Sequence, residues 1–150
     1  MSGGLAVASD PADELIKQSS QTIAFGSSKP DNLASTEKPT AAEQVYTFPE
    51  VLRRNSYALE GIWKLSDTKA ALTQGYGRIR LNFSAAKVSL SAQSIKPVSL
   101  TITVDGKTET NLVVQDLKTY ELFSAAAAGR HTLEIAVPQP GFEASSFIFN

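Results

Sequence analysis

Residues 57–150 carry a repeated alternation of apolar and polar side chains. The alternation is clearest in the runs YALEGIWKL, YGRIRLNFS, AKVSLSA and PVSLTITVDGK, and it returns in TNLVVQD, KTYELFS, HTLEIAV and SSFIFN. A period of two residues is typical of a strand that has one buried and one solvated face. Short strands of this kind, separated by turn signals, predict an all-β fold, namely an antiparallel β-sandwich over residues 57–150.

Two features mark the predicted interior and one of its turns. Trp63, the only tryptophan, shares the parity of Leu59 and Leu65, which predicts a buried ring, with an exposed sugar-stacking platform as the alternative. Asp105 and Gly106 interrupt the alternation with a pair that favours a two-residue hairpin turn. We predict that the following side chains point into the core: Trp63, Leu81, Phe83, Leu100, Ile102, Leu133, Ile135, Phe147 and Phe149.

One stretch within this region departs from the alternation. The run SAAAAGR at 124–130 is rich in alanine and is followed by a glycine signal, a composition that favours a short helix ending at Gly129. We therefore expect a helical insert between the strands KTYELFS and HTLEIAV. In that arrangement His131 lies at the start of a strand, with a structural role.

Residues 1–56 lack a regular alternation of apolar and polar side chains. In residues 1–20, Asp10 is placed as an N-cap and Pro11 at the first helical position, which predicts one short helix. Residues 21–56 are rich in Ser, Thr, Ala, Lys and Pro, as an extended segment is. Recurring apolar residues predict that this extended N-terminal arm packs on the sandwich: Ile23, Phe25, Leu33, Tyr46 and Phe48.

Composition narrows the classes of function. The 150 residues include 14 basic and 15 acidic side chains, for a formal net charge of −1. A nearly neutral chain has no field that attracts nucleic acid or an anionic membrane surface, so we expect neither as a partner. No apolar run is long enough to predict a membrane-spanning segment. The absence of cysteine excludes disulfides, thiolate nucleophiles and cysteine zinc sites, and it leaves the cellular compartment open.

The chemistry-bearing residues form no recognisable catalytic pattern. His131 is the only histidine, and no serine lies in a G-x-S-x-G turn that would complete a hydrolase triad. The run GYGRIR lacks the third glycine and the helix of a phosphate loop, and Asp105 is followed by no acidic residues at calcium-ligand spacing. We therefore predict no enzyme activity, metal or cofactor. The strand carboxylates show no pairing in the sequence: Glu60, Glu109, Glu121 and Glu134.

The run YGRIRLNFS carries the best candidates for ligand binding. Arg78, Arg80 and Asn82 recur at alternate positions, and guanidinium and amide groups can hydrogen-bond to sugar hydroxyls. Tyr76 begins this strand and offers a ring for stacking. The alternative interpretation of the four residues is a solvated strand face without a ligand.

An ordered set of segments resembles the C-terminal domain of DipZ-like thioredoxin proteins. The set consists of QTIAFGSSKPDNLAS, YALEGIWKLSDTKAAL, GRIRLNFSAAKVSL, ITVDGK, LKTYELF, GRHTLEIAV and SSFIFN, and it covers roughly residues 21–150. The chain departs from the family pattern at Thr22–Gly26, which contains no acidic residue, and at Asn150, where the family usually has glycine. No role of the missing acid is therefore carried over.

The resemblance implies a jelly-roll domain similar to carbohydrate-binding modules, placed after a thioredoxin domain of the same protein. Residues 1–20 are then either a linker or the tail of that thioredoxin domain. The resemblance also implies that the redox CxxC motif lies upstream of this chain and that the protein works outside the cytoplasm, as a periplasmic protein does. The expected function is a non-catalytic accessory module whose partner is a carbohydrate. The alternative is a protein-docking domain that orients the thioredoxin domain or its partner and binds no sugar.

Overall fold

The computed structural model describes residues 22–27, 32–35 and 37–150, apart from the side chains of residues 108 and 109. The described residues form eight β-strands, and among them no helix is long and apolar enough to span a bilayer. The short helix predicted after Asp10 lies outside the described residues. In chain order the strands are β1 (Thr22–Ala24), β2 (Glu43–Tyr46), β3 (Ser56–Leu65), β4 (Ala70–Ser94), β5 (Val98–Val104), β6 (Lys107–Val114), β7 (Lys118–Val137) and β8 (Phe142–Phe149).

Two long strands, β4 and β7, run through both layers of the sandwich. In one layer, here called layer A, the first half of β4 lies between β3 and the second half of β7, and β2, β5 and β6 extend the layer at its sides. In layer B, the second half of β4 lies between β8 and the first half of β7, and β1 pairs with β8. These pairings are antiparallel, so the predicted antiparallel β-sandwich is confirmed.

The burial pattern of β4 shows how one strand serves two layers. Side chains at odd positions are buried from Ile79 to Ala85, whereas side chains at even positions are buried from Val88 onward. The change of parity falls where the register with β7 shifts, between Ala85 and Lys87. A bulge bends the strand and reverses which alternate side chains point to each face. The apolar side chains of β4 therefore face the core in both layers.

The prediction of a helix at 124–130 is wrong, because this alanine-rich run lies within strand β7. Ser124 is opposite Lys87 and Gly129 is opposite Ala85, so the residues between them, four on β7 and one on β4, are mismatched. The run therefore forms a wide irregularity where β7 passes from layer B to layer A. Pairing with β4 on both sides of the run overrides the local helix propensity of alanine.

The predicted core is confirmed, since every residue expected to point inward has an exposed fraction of 4% or less. Trp63 is fully buried, and its ring meets the ring of Phe142 edge to face, with 6.5 Å between the centroids. Its indole Nε1 donates a hydrogen bond to the carbonyl oxygen of Glu60 at 2.9 Å. The interpretation of Trp63 as a core residue is therefore correct, and the alternative of an exposed sugar platform is wrong.

Asp105 and Gly106 form the predicted two-residue turn between β5 and β6. Their φ angles are 52° and 84°, and Val104 pairs with Lys107 on either side of the turn. Positive φ at both central positions is the geometry of a type I′ turn, whose twist matches that of the flanking strands. Aspartate and glycine adopt this backbone conformation with little strain, so the local sequence specifies the hairpin.

Residues that precede β3 contribute to the same core. The ring of Phe25 lies 4.5 Å from that of Tyr57 and 5.1 Å from that of Phe147, measured between centroids. Leu33 forms a parallel bridge with Tyr57, and β2 pairs along β3. These residues shield apolar surface of the sandwich from water. The buried apolar residues of this segment are Ile23, Phe25, Leu33, Ala34 and Tyr46.

Candidate ligand-binding face

The side of layer A that faces away from the core is polar and is here called the outer face. Its central positions come from β4, where Arg78, Arg80 and Asn82 alternate with buried side chains. The neighbouring strands place hydroxyl and carboxylate groups beside this row. The facing positions are Ala136, Glu134 and Thr132 on β7, followed by Thr101 and Thr103 on β5.

Two arginines and two glutamates form an ion-pair network on the outer face. Arg78 donates through Nε to Glu60 Oε1 at 2.7 Å and through Nη1 to Glu134 Oε2 at 3.1 Å. Arg80 donates to Glu134 Oε1 from Nε at 3.2 Å and from Nη2 at 2.8 Å. The hydrogen bond to Glu60 is the main cause that raises the pKa of Arg78, against the opposing effect of partial burial. Glu134 therefore binds both guanidinium groups.

Phe48 covers one side of this network. It belongs to residues 47–55, here called the crossing segment, which connects β2 to β3 and lies against the outer face. The ring centroid of Phe48 is 4.2 Å from the guanidinium carbon of Arg80 and 5.2 Å from that of Arg78. Both distances allow an attractive cation–π contact. Because the side chains of Arg78 and Arg80 are 35% and 34% exposed, they still meet solvent away from Phe48.

Asn82 fastens the crossing segment to β4. Its Nδ2 donates to the carbonyl oxygen of Leu52 at 2.9 Å, and the backbone N–H of Asn55 donates to the carbonyl oxygen of Asn82 at 2.8 Å. Its Oδ1 is buried and has no hydrogen-bond partner. The amide nitrogen of Asn82 is therefore bound to the protein's own backbone.

Tyr76 borders an open depression of about 310 Å³ at the start of β4. Its side chain is 70% exposed, which is unusual for a large aromatic residue in this chain. The depression combines apolar walls with hydrogen-bonding groups, and its volume is at the lower end of the range for small-molecule sites. It is lined by Tyr76, Arg78, Ser99, Thr101, Ala136, Val137 and Pro138.

A second open depression, of about 380 Å³, lies farther along the same face. Arg80 and Glu134 line it, so the ion-pair network separates the two depressions and borders both. The remaining walls are more polar than those of the first depression. They consist of Thr103, Asp105, Gly106 and Thr132.

Asp105 and His131 link the β5–β6 turn to β7 beside the second depression. Asp105 Oδ2 lies 2.6 Å from His131 Nδ1, and Asp105 Oδ1 accepts the backbone N–H of Thr132 at 2.9 Å. These hydrogen bonds, that of His131 first, lower the pKa of the Asp105 carboxyl. The imidazole ring packs 4.8 Å from Phe123 and 5.7 Å from Phe83, between centroids. His131 thus lies inside β7, not at the start of a strand, and it secures the turn that Asp105 forms.

The structure uses the four sequence-predicted site residues in different ways. Tyr76, Arg78 and Arg80 border the depressions, whereas Asn82 anchors the crossing segment. Ligand binding by these residues stays a prediction. In the part of the chain that the structure describes, no group of three or more His, Cys, Asp or Glu side chains could hold a metal ion.

Sequence reasoning missed Glu60 and Glu134 as partners of the arginines, and Phe48 as their cover. One signal was present, because both glutamates occupy the outward parity of runs whose inward positions are apolar. That signal places each glutamate on a solvated face, but it does not say which strand lies beside which. Only the pairing of β4 with both β3 and β7 brings the two glutamates to Arg78.

Comparison with known protein families gives one match. The model of a family described as "Thioredoxin like C-terminal domain" matches residues 20–149. No curated protein sequence matches this chain.

The fold is similar to part of two family two carbohydrate esterases. The esterase from Cellvibrio japonicus is 14% identical with a TM-score of 0.58, and the match covers 62% of this chain and 30% of that one. The esterase from Clostridium thermocellum, solved in complex with cellohexaose, is 21% identical with a TM-score of 0.58, covering 63% and 31%. The chain thus spans less than a third of each esterase, and at these identities the similarity concerns the fold alone.

A third solved structure, CsCBM6-3 from Clostridium stercorarium in complex with cellobiose, is 11% identical with a TM-score of 0.48. That match covers 88% of this chain and 94% of the other.

Proposed function

The chain belongs to the family of thioredoxin-like C-terminal domains, and on that premise we propose that it is a non-catalytic accessory module that binds a carbohydrate on its outer face. The observation that supports this most directly is the exposed ring of Tyr76 at one end of a row of hydrogen-bonding side chains. An aromatic ring beside polar groups meets the two requirements of a sugar, which has apolar faces and a hydroxylated rim.

The outer face offers both kinds of contact within one ligand's reach. A tyrosine presents an apolar ring that a sugar can cover, while its hydroxyl stays in water. Arg78, Ser99 and Thr101 line the same depression and supply donors and acceptors. From Tyr76 to Arg80, β4 rises about 13 Å at ~3.3 Å per residue. A ligand that touches both depressions therefore extends beyond a single sugar ring.

The proposal includes a place for the module in a larger protein. We infer a DipZ-type redox protein in which a thioredoxin domain carries the reactive cysteines, since this chain has none. In this view the module holds the redox domain near a glycan outside the cytoplasm. Support for the redox context comes from the family to which the chain belongs.

The experiment is a calorimetric and NMR titration of the 150-residue chain with neutral hexasaccharides, namely cellohexaose, xylohexaose and mannohexaose. We expect at least one of them to shift the amide signals of Tyr76, Arg78 and Thr101. Tyr76→Ala should weaken that binding about three- to tenfold, because an aromatic stacking contact contributes about 0.5–1.5 kcal/mol.

Leu117→Ala is the matched control, since Leu117 is 60% exposed and lines neither depression on the outer face. This variant should bind as the unchanged chain does. Equal losses in both variants, or sugar-induced shifts confined to layer B, would contradict the proposed site.

A second candidate function, a protein-docking domain, is supported by an apolar side chain exposed on the strand beside the depression that Tyr76 borders. Val113 is 62% exposed and pairs with Ser99, which lines that depression. Exposed apolar groups that lie close together are typical of protein contact sites. If a thioredoxin domain supplied in trans shifts the signals of Tyr76 and Val113 while no hexasaccharide does, docking replaces carbohydrate binding.

A further inference from the structure

We propose that Glu134 sets the charge specificity of the outer face, so that the face accepts uncharged oligosaccharides and rejects those that carry carboxylates. This inference rests on the proposed carbohydrate-binding function and adds the class of carbohydrate. Its starting point is the position of Glu134, which lines the second depression and binds Arg78, a residue of the first.

Both arginines of the outer face are already paired with carboxylates of the protein itself. A guanidinium group recognises a carboxylate through two parallel N–H donors, which is why arginine is the common partner of acidic ligands. Here Arg80 directs Nε and Nη2 to Glu134, at 3.2 Å and 2.8 Å, and Arg78 is divided between Glu60 and Glu134. An acidic sugar would therefore approach guanidinium groups whose positive charge Glu60 and Glu134 already offset, and it would compete with Glu134 for both of them.

Phe48 makes it harder for an acidic sugar to compete. Its ring lies over both guanidinium groups, at 4.2 Å from Arg80 and 5.2 Å from Arg78. A guanidinium that turned outward to a ligand carboxylate would lose its contact with the ring as well as its bond to Glu134. The geometry therefore favours the internal ion pairs over an external one.

The charge around the depressions also disfavours an anion. The side chains that line them, together with Glu60, carry two positive and three negative charges at neutral pH. The third negative charge belongs to Asp105, which stays ionised because its hydrogen bonds to His131 and Thr132 favour the carboxylate. Arg130 lies farther along the face and lines neither depression.

A neutral sugar neither competes with Glu134 for the arginines nor meets repulsion from the negative charges around the depressions. Its hydroxyl groups can donate to the carboxylate oxygens of Glu134 and Asp105 and can accept from N–H groups of Arg80. The ion pairs then remain intact when the ligand binds. The same network that repels a carboxylate thus orients donors and acceptors for an uncharged, hydroxylated ligand.

The experiment compares neutral hexasaccharides with hexagalacturonate, an acidic oligosaccharide of the same length, by calorimetry on the full chain. The unchanged chain should bind the tightest neutral probe at least about tenfold more tightly than hexagalacturonate, since a charged group that loses its hydrogen bonds is costly. Glu134→Gln retains the shape of the side chain and removes the negative charge that both arginines bind. It should tighten hexagalacturonate binding about tenfold, and added salt should reverse the gain.

Glu121→Gln is the control, because it removes the same charge from the part of β7 that pairs in layer B, opposite Ser89. It should leave the ratio of acidic to neutral binding unchanged. Melting curves check that each variant folds. Should Glu134→Gln fail to fold, Glu60→Gln, which removes a charge that pairs with Arg78 alone, should show a smaller shift in the same direction.

The outcomes separate this inference from the function on which it rests. Tighter binding of hexagalacturonate than of every neutral probe by the unchanged chain overturns the inference alone and keeps carbohydrate binding. An unchanged acidic-to-neutral ratio in folded Glu134→Gln also overturns it. Binding of neither class overturns the carbohydrate function and the inference together.

Discussion

Replacement of Trp63 with alanine tests how the core of the sandwich is held together. The indole ring has no exposed surface and meets Phe142 edge to face. It also packs on Gly77, where an added Cβ would lie 3.0 Å from Trp63 Cζ2. Because β4 passes this close to the ring and pairs with β3 beside it, the backbone cannot move inward to fill the space that the ring leaves. The substitution should therefore leave a cavity.

The expected cost follows from that cavity. Truncation of a buried tryptophan or phenylalanine to alanine destabilises proteins by about 3–5 kcal/mol. The lost hydrogen bond from Nε1 to the carbonyl of Glu60 is part of that cost, at about 1 kcal/mol. A domain has a total stability of about 5–15 kcal/mol, so the loss is a large part of that stability. At about 2–4 °C per kcal/mol for a chain of this size, the melting temperature should fall by roughly 6–20 °C.

Urea unfolding followed by far-ultraviolet circular dichroism measures this loss, because the variant has no tryptophan left to report by fluorescence. Trp63→Phe is the matched control, since it keeps an aromatic ring and removes the indole donor. It should cost less, about 1–2 kcal/mol. A loss below about 1 kcal/mol for Trp63→Ala would refute the reasoning, because a ring that closes the core cannot be removed so cheaply.

Two further predictions concern the N-terminal residues and the β5–β6 turn. Deletion of residues 1–20 should leave the melting temperature nearly unchanged. Deletion of residues 1–50 should lower it, because this deletion removes the buried rings of Phe25 and Tyr46. Equal melting temperatures for the full chain and residues 51–150 would contradict this prediction. Since the pKa of Asp105 is lower in the folded state, its contribution to stability is present above the unfolded pKa of about 3.9 and is lost as the pH falls through the folded value. Because the carboxylate is half exposed, this effect should stay below about 1 kcal/mol. Asp105→Asn, which tolerates the positive φ of the turn, should lose less stability as the pH falls, and an identical acid transition in both proteins would count against the role of Asp105.

At the candidate site, the sequence predicted which side chains share a face but not which side chains they contact. The alternation in YGRIRLNFS was sufficient to place Arg78, Arg80 and Asn82 on a solvated face. The same alternation could not say that Glu134, more than 50 residues away, supplies the carboxylate that both arginines bind. Nor could it say that Asn82 is occupied by the backbone of Leu52. The register between distant strands decides such contacts, and no local pattern encodes that register.

What the sequence by itself determined is local. The period of two in a strand fixes which side chains share a face, so Trp63 and Phe83 were predictable as core residues. The backbone preferences of Asp105 and Gly106 specify a turn without help from the rest of the chain.

Tertiary structure decided the rest, for a physical reason that the alanine-rich run at 124–130 illustrates. Isolated helix propensity amounts to little free energy per residue, whereas pairing with β4 and burial of the adjoining strand act together over many residues. The run therefore became part of β7. By the same reasoning, Phe48 came to lie over Arg78 and Arg80 because the strands that flank the crossing segment fix both of its ends.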